Sequence, residues 1–195
     1  MRRALHAEDT RRALLDAARH EFAARGYAAT SLDEIVRHAR LTKGALYHHF
    51  DSKAALLEAV YVEMEEELAA EVRGAMATAG GDARARMGAA LGAFFAASSE
   101  PAYARIVLRD APLVLDPARG RSIDHAIGLG LVTELIEALR AEGRIAPGLP
   151  VATLARVLLA MVSEVATAMA DAERPRQIHD EGMAVIAALV DGLAP

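Results

Sequence analysis

The chain has 195 residues, 53% of them hydrophobic and only 4% aromatic, with no cysteine and a formal net charge of −5. That length holds one large or two small domains. The alanine-rich composition points to helices rather than sheets, and the lack of thiols excludes disulfides, a cysteine nucleophile and a thiol switch. The first residues, MRRALHAEDTRR, lack the apolar core of a secretion signal, and the most apolar stretch, 151–170, is interrupted by Arg156 and Glu164. A cytoplasmic chain without a membrane span is therefore expected.

Charge is divided unevenly. Residues 1–53 hold ten Lys/Arg against seven Asp/Glu, whereas residues 54–195 hold twelve against twenty. A basic head on an acidic body is the footprint of a nucleic-acid binder. Residues 1–8 are expected to form a loose, disordered basic arm, with a contact of Arg2 and Arg3 to a phosphate or a minor groove as the alternative. The first helix is expected from about Thr10 to Arg25, with Leu14, Ala17, Ala18 and Phe22 on its inner side and Gly26 closing it.

The stretch from Thr30 to Lys53 has the pattern of two short helices joined by a tight turn, the helix-turn-helix covering about 31–50. Ser31 and Glu34 stand at capping-box spacing, and Ile35, Val36 and Ala39 give the first helix its apolar side. The turn falls at Arg40-Leu41-Thr42, and Thr42 suits the N-cap of a second helix, Lys43 to His49. Leu46 and Phe50, four apart, turn inward and leave Lys43, Gly44, Tyr47 and His48 facing out. A cation can meet a phosphate, a glycine admits close approach, and a tyrosine offers a hydroxyl and a ring edge, as a groove-reading helix requires. The chain has only two lysines, Lys43 and Lys53, and they bracket this helix.

A fourth helix begins at Lys53 and keeps its apolar period past Leu68 to a break at Gly80-Gly81. Further helices are expected at about 82–98, 101–109, 119–141, 150–172 and 175–193, with Asp110-Ala111-Pro112 and Asp116-Pro117 breaking the chain between the second and third. Gly128 and Gly130, inside the third, either permit close helix packing or leave room for a ligand. The last two helices are apolar on more than one face; Leu154, Leu158, Val165, Ile178, Val185, Ile186 and Leu189 are candidates for burial against a second subunit. Adjacent His48 and His49 diverge by about 100° on a helix and do not share an ion easily, so no metal site is expected. No nucleophile elbow or phosphate loop is present, and no carboxylates pair at a persuasive catalytic spacing, so neither an enzyme nor a cofactor is expected.

Thr30-Ser31, Ile35, the run Leu41-Thr42-Lys43-Gly44-Ala45-Leu46-Tyr47-His48-His49-Phe50, Lys53 and Leu56-Leu57 together resemble the N-terminal DNA-binding domain of the TetR family of transcriptional regulators, over about residues 8–60. Two positions depart from that pattern: the family usually has a glycine at Arg40 and a small residue at Val36. The resemblance implies an all-α fold of about nine helices, with a three-helix head over 1–53 and a larger ligand-binding and dimerisation body over 54–195. It implies that Thr30, Ser31, Thr42 and Lys53 hold phosphates, and that Lys43 holds a phosphate or a guanine edge. Gly44 and Ala45 would permit close approach, while Tyr47, His48 and His49 contact backbone and bases. Arg40 either tolerates the turn or adds a phosphate contact.

The resemblance further implies a homodimer through the last two helices, a palindromic double-stranded operator and an apolar small-molecule effector. The effector pocket would draw on Phe94, Phe95, Tyr103, Val107, His125, Leu129 and Met161. The expected function is a one-component DNA-binding transcriptional regulator, a repressor released by its effector. The alternatives are a ligand-independent architectural or cell-division factor of the same fold, or a helical carrier or enzyme.

Overall fold

The structure is a computed structural model that describes the backbone of residues 2–195 and the side chains from residue 7 onward. Among the described residues there are ten α-helices, one π-helical segment and no strand. They are α1 (Arg2–Arg25), α2 (Leu32–His38), α3 (Lys43–His49), α4 (Lys53–Ala79), α5 (Ala83–Ser98), α6 (Pro101–Tyr103), the π-helical segment (Ala104–Asp110), α7 (Ala111–Val114), α8 (Pro117–Ala141), α9 (Val151–Asp171) and α10 (Pro175–Asp191). Residues 101–114 form one unbroken helical run, so the described residues make nine rods.

Two boundaries differ from expectation. α1 begins at Arg2, not near Thr10; Arg, Ala and Leu are good helix formers and extend the helix through the expected arm. The side chains of Arg2 and Arg3, and the alternative DNA contact weighed for them, lie outside the described residues. Asp110-Ala111-Pro112 does not break the chain. Pro112 stands in the first turn of α7, directly after the π-helical segment, and the helical run continues through it.

By compactness the chain forms two units, Met1–Met64 with Pro101–Gly120, and Glu65–Glu100 with Arg121–Pro195. The first thus takes in the start of α4 and the 101–120 segment in addition to the three helices of the expected head. Its core is a stripe from each helix: Leu14, Ala18 and Phe22 of α1, Ile35 of α2, Leu46 of α3, and Leu56, Leu57 and Val60 of α4, all fully buried. Each large side chain here contributes about 1.5–3 kcal/mol through burial.

The second unit buries Leu68, Val72 and Met76 of α4 at helical spacing, with Phe95, Ile136, Leu139, Ile145, Ala155 and Ala166. Glu142 accepts a hydrogen bond from the Ala83 N–H at 2.8 Å, and Arg144 pairs with Asp82 at 2.8 Å, which ties the start of α5 to the end of α8. A Cβ on Gly128 would meet Leu159 at 3.3 Å, so this glycine serves close packing of α8 on α9. A Cβ on Gly182 would fall 2.5 Å from Val165, so α9 and α10 touch closely there. α9 has the length and composition to cross a membrane, with only 11% of its most apolar window buried within the chain.

Candidate nucleic-acid interface

Local chemistry holds the α2–turn–α3 segment at every joint. The capping box forms: the Glu34 N–H donates to Ser31 Oγ at 3.3 Å, and the Ser31 N–H donates to Glu34 Oε2 at 2.8 Å. The Ser31 N–H and then its hydroxyl, helped by Arg25, lower the Glu34 pKa to about 2. α2 ends in a Schellman motif, with the Leu41 N–H donating to Val36 O at 2.8 Å and the Arg40 N–H to Arg37 O at 3.2 Å. Arg40 sits at the left-handed position of that motif with φ 57°. It does so without a glycine's freedom, and its side chain is exposed. Thr42 then caps α3 by accepting from the Ala45 N–H at 3.2 Å.

α3 has two faces, as its spacing predicts. Leu46 and the following Phe50 are buried. Lys43, Gly44, Tyr47 and His48 are exposed, Tyr47 by 53%, and Ala45 and His49 are half-buried at the edges. A Cβ on Gly44 would meet only Thr42 Oγ1, at an ordinary 3.8 Å. The chain's own packing does not demand a glycine here. Lys43 pairs with Asp33 at 2.8 Å, and the hydrogen bond to that carboxylate raises the lysine pKa, so it stays a cation. Both partners are exposed, and such pairs contribute little; a phosphate can replace Asp33.

Two expected phosphate contacts are corrected. Thr30 is 2% exposed, and its hydroxyl donates to Gly26 O at 2.8 Å and Glu21 O at 3.2 Å. Lys53 donates to Tyr27 O at 2.8 Å and Thr30 O at 2.9 Å, with its ammonium 4.0 Å from the centre of the Tyr27 ring. Both residues hold the 26–30 turn that feeds α2; neither points to a ligand. Sequence reasoning saw a demand for lysine at 53 but missed the recipient, a pair of backbone carbonyls. It also missed Asp110, whose Oδ2 accepts from the Tyr27 N–H at 2.7 Å, and Arg105, which donates to Ala24 O at 3.1 Å. No local pattern signals contacts across more than eighty residues.

The effector candidates divide between the two units: Tyr103 and Val107 belong to the first, and Phe94, Phe95, His125, Leu129 and Met161 to the second. Phe94 and Phe95 meet edge to face, and His179 stacks edge-on to Phe95 at 5.4 Å. His125 is exposed on α8. Among the interface candidates, Ile186 is 2% exposed and Val165 packs on Gly182, so both are spent within the chain. Val185 and Leu189 stand 55% and 51% exposed, while Leu154, Leu158 and Ile178 are half-buried.

Residues 14–60 match the family model described as bacterial regulatory proteins, tetR family, and residues 84–193 match that of a tetracyclin repressor-like C-terminal domain. The HTH-type transcriptional regulator SrpR of Pseudomonas putida is 42% identical over 65 residues, 33% of this chain and 30% of that protein. The transposon Tn10 TetC protein of Escherichia coli is 48% identical over 54 residues, 28% of this chain and 27% of that protein. The matches thus span less than a third of either relative. A solved TetR-family transcriptional regulator from Pectobacterium atrosepticum extends the likeness to the whole chain: 32% identity, 97% of this chain and 96% of that one, TM-score 0.83. With family matches to the head and to most of the body, and a full-length structural relative, the chain belongs to the tetR family of bacterial regulatory proteins.

Proposed function

We propose that the chain is a dimeric, DNA-binding transcriptional repressor that reads a near-palindromic operator in the cytoplasm and is released by an apolar small molecule. The observation that carries this reading is the outer face of α3, where Lys43, Gly44, Tyr47 and His48 stand exposed on a helix fixed at its start by Thr42 and from beneath by Leu46. That face would enter the major groove. Lys43, Thr42, Ser31 and Arg40 would meet phosphates, Ala45 a thymine methyl, and Tyr47, His48 and His49 backbone and base edges. Two such heads would read half-sites about 34–36 Å apart. The effector must bind the released state better than the DNA-bound one, because a ligand with equal affinity for both shifts nothing.

Fluorescence anisotropy on the DNA upstream of the chain's own gene tests the proposal, with unrelated DNA as control and over a salt series. Selective tight binding supports it. Lys43→Ala should lower the log–log salt slope by about one, and Tyr47→Phe should weaken binding without changing the fold. No binding to either DNA at low salt overturns it.

A further inference from the structure

His20, Glu21 and His38 bring their ligand atoms within 4.8 Å of one another. His20 and Glu21 come from α1, and His38 from the last turn of α2. The two imidazole rings are 4.6 Å apart, and His38 Nδ1 lies 2.8 Å from Glu21 Oε1. We propose that these three residues form a site for a divalent transition-metal ion of the zinc type, bridging the first helix of the chain to the first helix of the helix-turn-helix.

The donor set selects the class of ion. Two imidazoles and one carboxylate suit zinc and its neighbours, whereas magnesium and calcium take oxygen ligands. Bonds of about 2.0–2.2 Å put neighbouring donors roughly 3.3 Å apart around a tetrahedral ion. Side-chain rotation reaches that spacing from the present one, with the 2.8 Å His38–Glu21 contact opening slightly to admit the ion, and both histidines are exposed and have room to turn. His20 and Glu21 are adjacent on one helix and their Cα–Cβ directions diverge by about 100°, yet their ligand atoms lie within 4.8 Å of each other and of that of His38, which comes from the facing helix.

Arg25 is the competing cation. It lies 3.5 Å from Glu21, but its closer contact is Glu34, and it keeps that partner when an ion takes the Glu21 carboxylate. Exposure of the histidines leaves water to complete the coordination. The site was hidden in the sequence because His38 is separated from Glu21 by 17 positions and neither residue has metal-motif spacing.

The test uses the full chain, stripped with a chelator and then dialysed against Zn²⁺ alone at neutral pH, with retained metal and thermal unfolding measured. One retained Zn²⁺ per chain and a higher unfolding temperature with the metal are expected. His20→Ala, His38→Ala and Glu21→Gln should each weaken binding by about tenfold or more. Because His20 and His38 are exposed, their variants should unfold at the parent's metal-free temperature, which separates loss of the site from loss of the fold. Failure of the parent to retain Zn²⁺, or equal retention by parent and site variants, overturns the proposal.

Discussion

Arg40 carries a backbone shape that costs a residue with a Cβ on the order of 1–2 kcal/mol, and two Schellman hydrogen bonds hold it there. Glycine would adopt φ 57° without that penalty but would lose more entropy from the unfolded chain. Arg40→Gly should therefore raise stability by no more than about 1 kcal/mol, read from the urea midpoint. If the exposed guanidinium meets a phosphate, the same variant weakens operator binding and lowers the salt slope by about one. A stability gain with an unchanged slope would leave Arg40 as a turn residue only. Glu34 gives the pH dependence at this scale. Its folded pKa of about 2 lies below the ordinary 4.5, so its carboxylate favours the folded state above pH 4.5, and that contribution fades as pH falls toward 2. Glu34→Gln should therefore lower the urea midpoint at neutral pH, with the difference from the parent closing between pH 4.5 and 2. A gap that stays constant across that window would remove the charged capping box as its cause.

At the scale of elements, the π-helical segment Ala104–Asp110 is what secures the entry to the helix-turn-helix. Arg105 donates to carbonyls at the end of α1, where the helix dipole favours a cation, and Asp110 takes the Tyr27 N–H. Lys53 takes the carbonyl of the same Tyr27, so that peptide region is gripped from the start of α4 and from the 101–114 run. Asp110→Ala leaves a part-buried N–H unpaired and should cost about 1–3 kcal/mol; Asp110→Asn, which keeps an acceptor, should cost less. Equal urea midpoints for parent and Asp110→Ala would show that the contact contributes nothing. The same element marks the limit of what periodicity reveals. Ser31 with Glu34, Thr42 with Ala45, and Leu46 with Phe50 are three or four residues apart, so one helical turn decides them and the sequence displays them. The partners of Lys53 and Asp110 are set by how the helices come together, and Thr30 looks like an exposed phosphate ligand until the fold buries it beneath Gly26 and Glu21. Likewise, apolar character on α9 and α10 was legible, but only the packing at Gly182 shows that Val165 faces inward.

For the whole molecule, the unresolved demand is the apolar surface left on α9 and α10. Val157, Val185 and Leu189 are 57%, 55% and 51% exposed, although Ile186 and Val190 already supply α10 with a buried stripe. Large apolar side chains on two closely packed helices are the surface a second copy would cover, and a two-fold interface uses the same patch twice. Two helices from each chain would make a four-helix seam. Such a dimer would also give the operator its affinity, because joining two heads turns the second binding event into an intramolecular one, an effect of about 10²–10⁴ when the spacing suits. The double variant Val185→Glu, Leu189→Glu places four carboxylates in a two-fold seam, yet its side chains stand in solvent in the single chain. It should keep the parent's helical circular dichroism, sediment as a monomer, and bind the full operator about a hundredfold or more weaker. A half-site duplex should bind the variant head as well as it binds the parent's, since α3 is untouched. Sedimentation as a dimer with both glutamates in place would move the interface to another face.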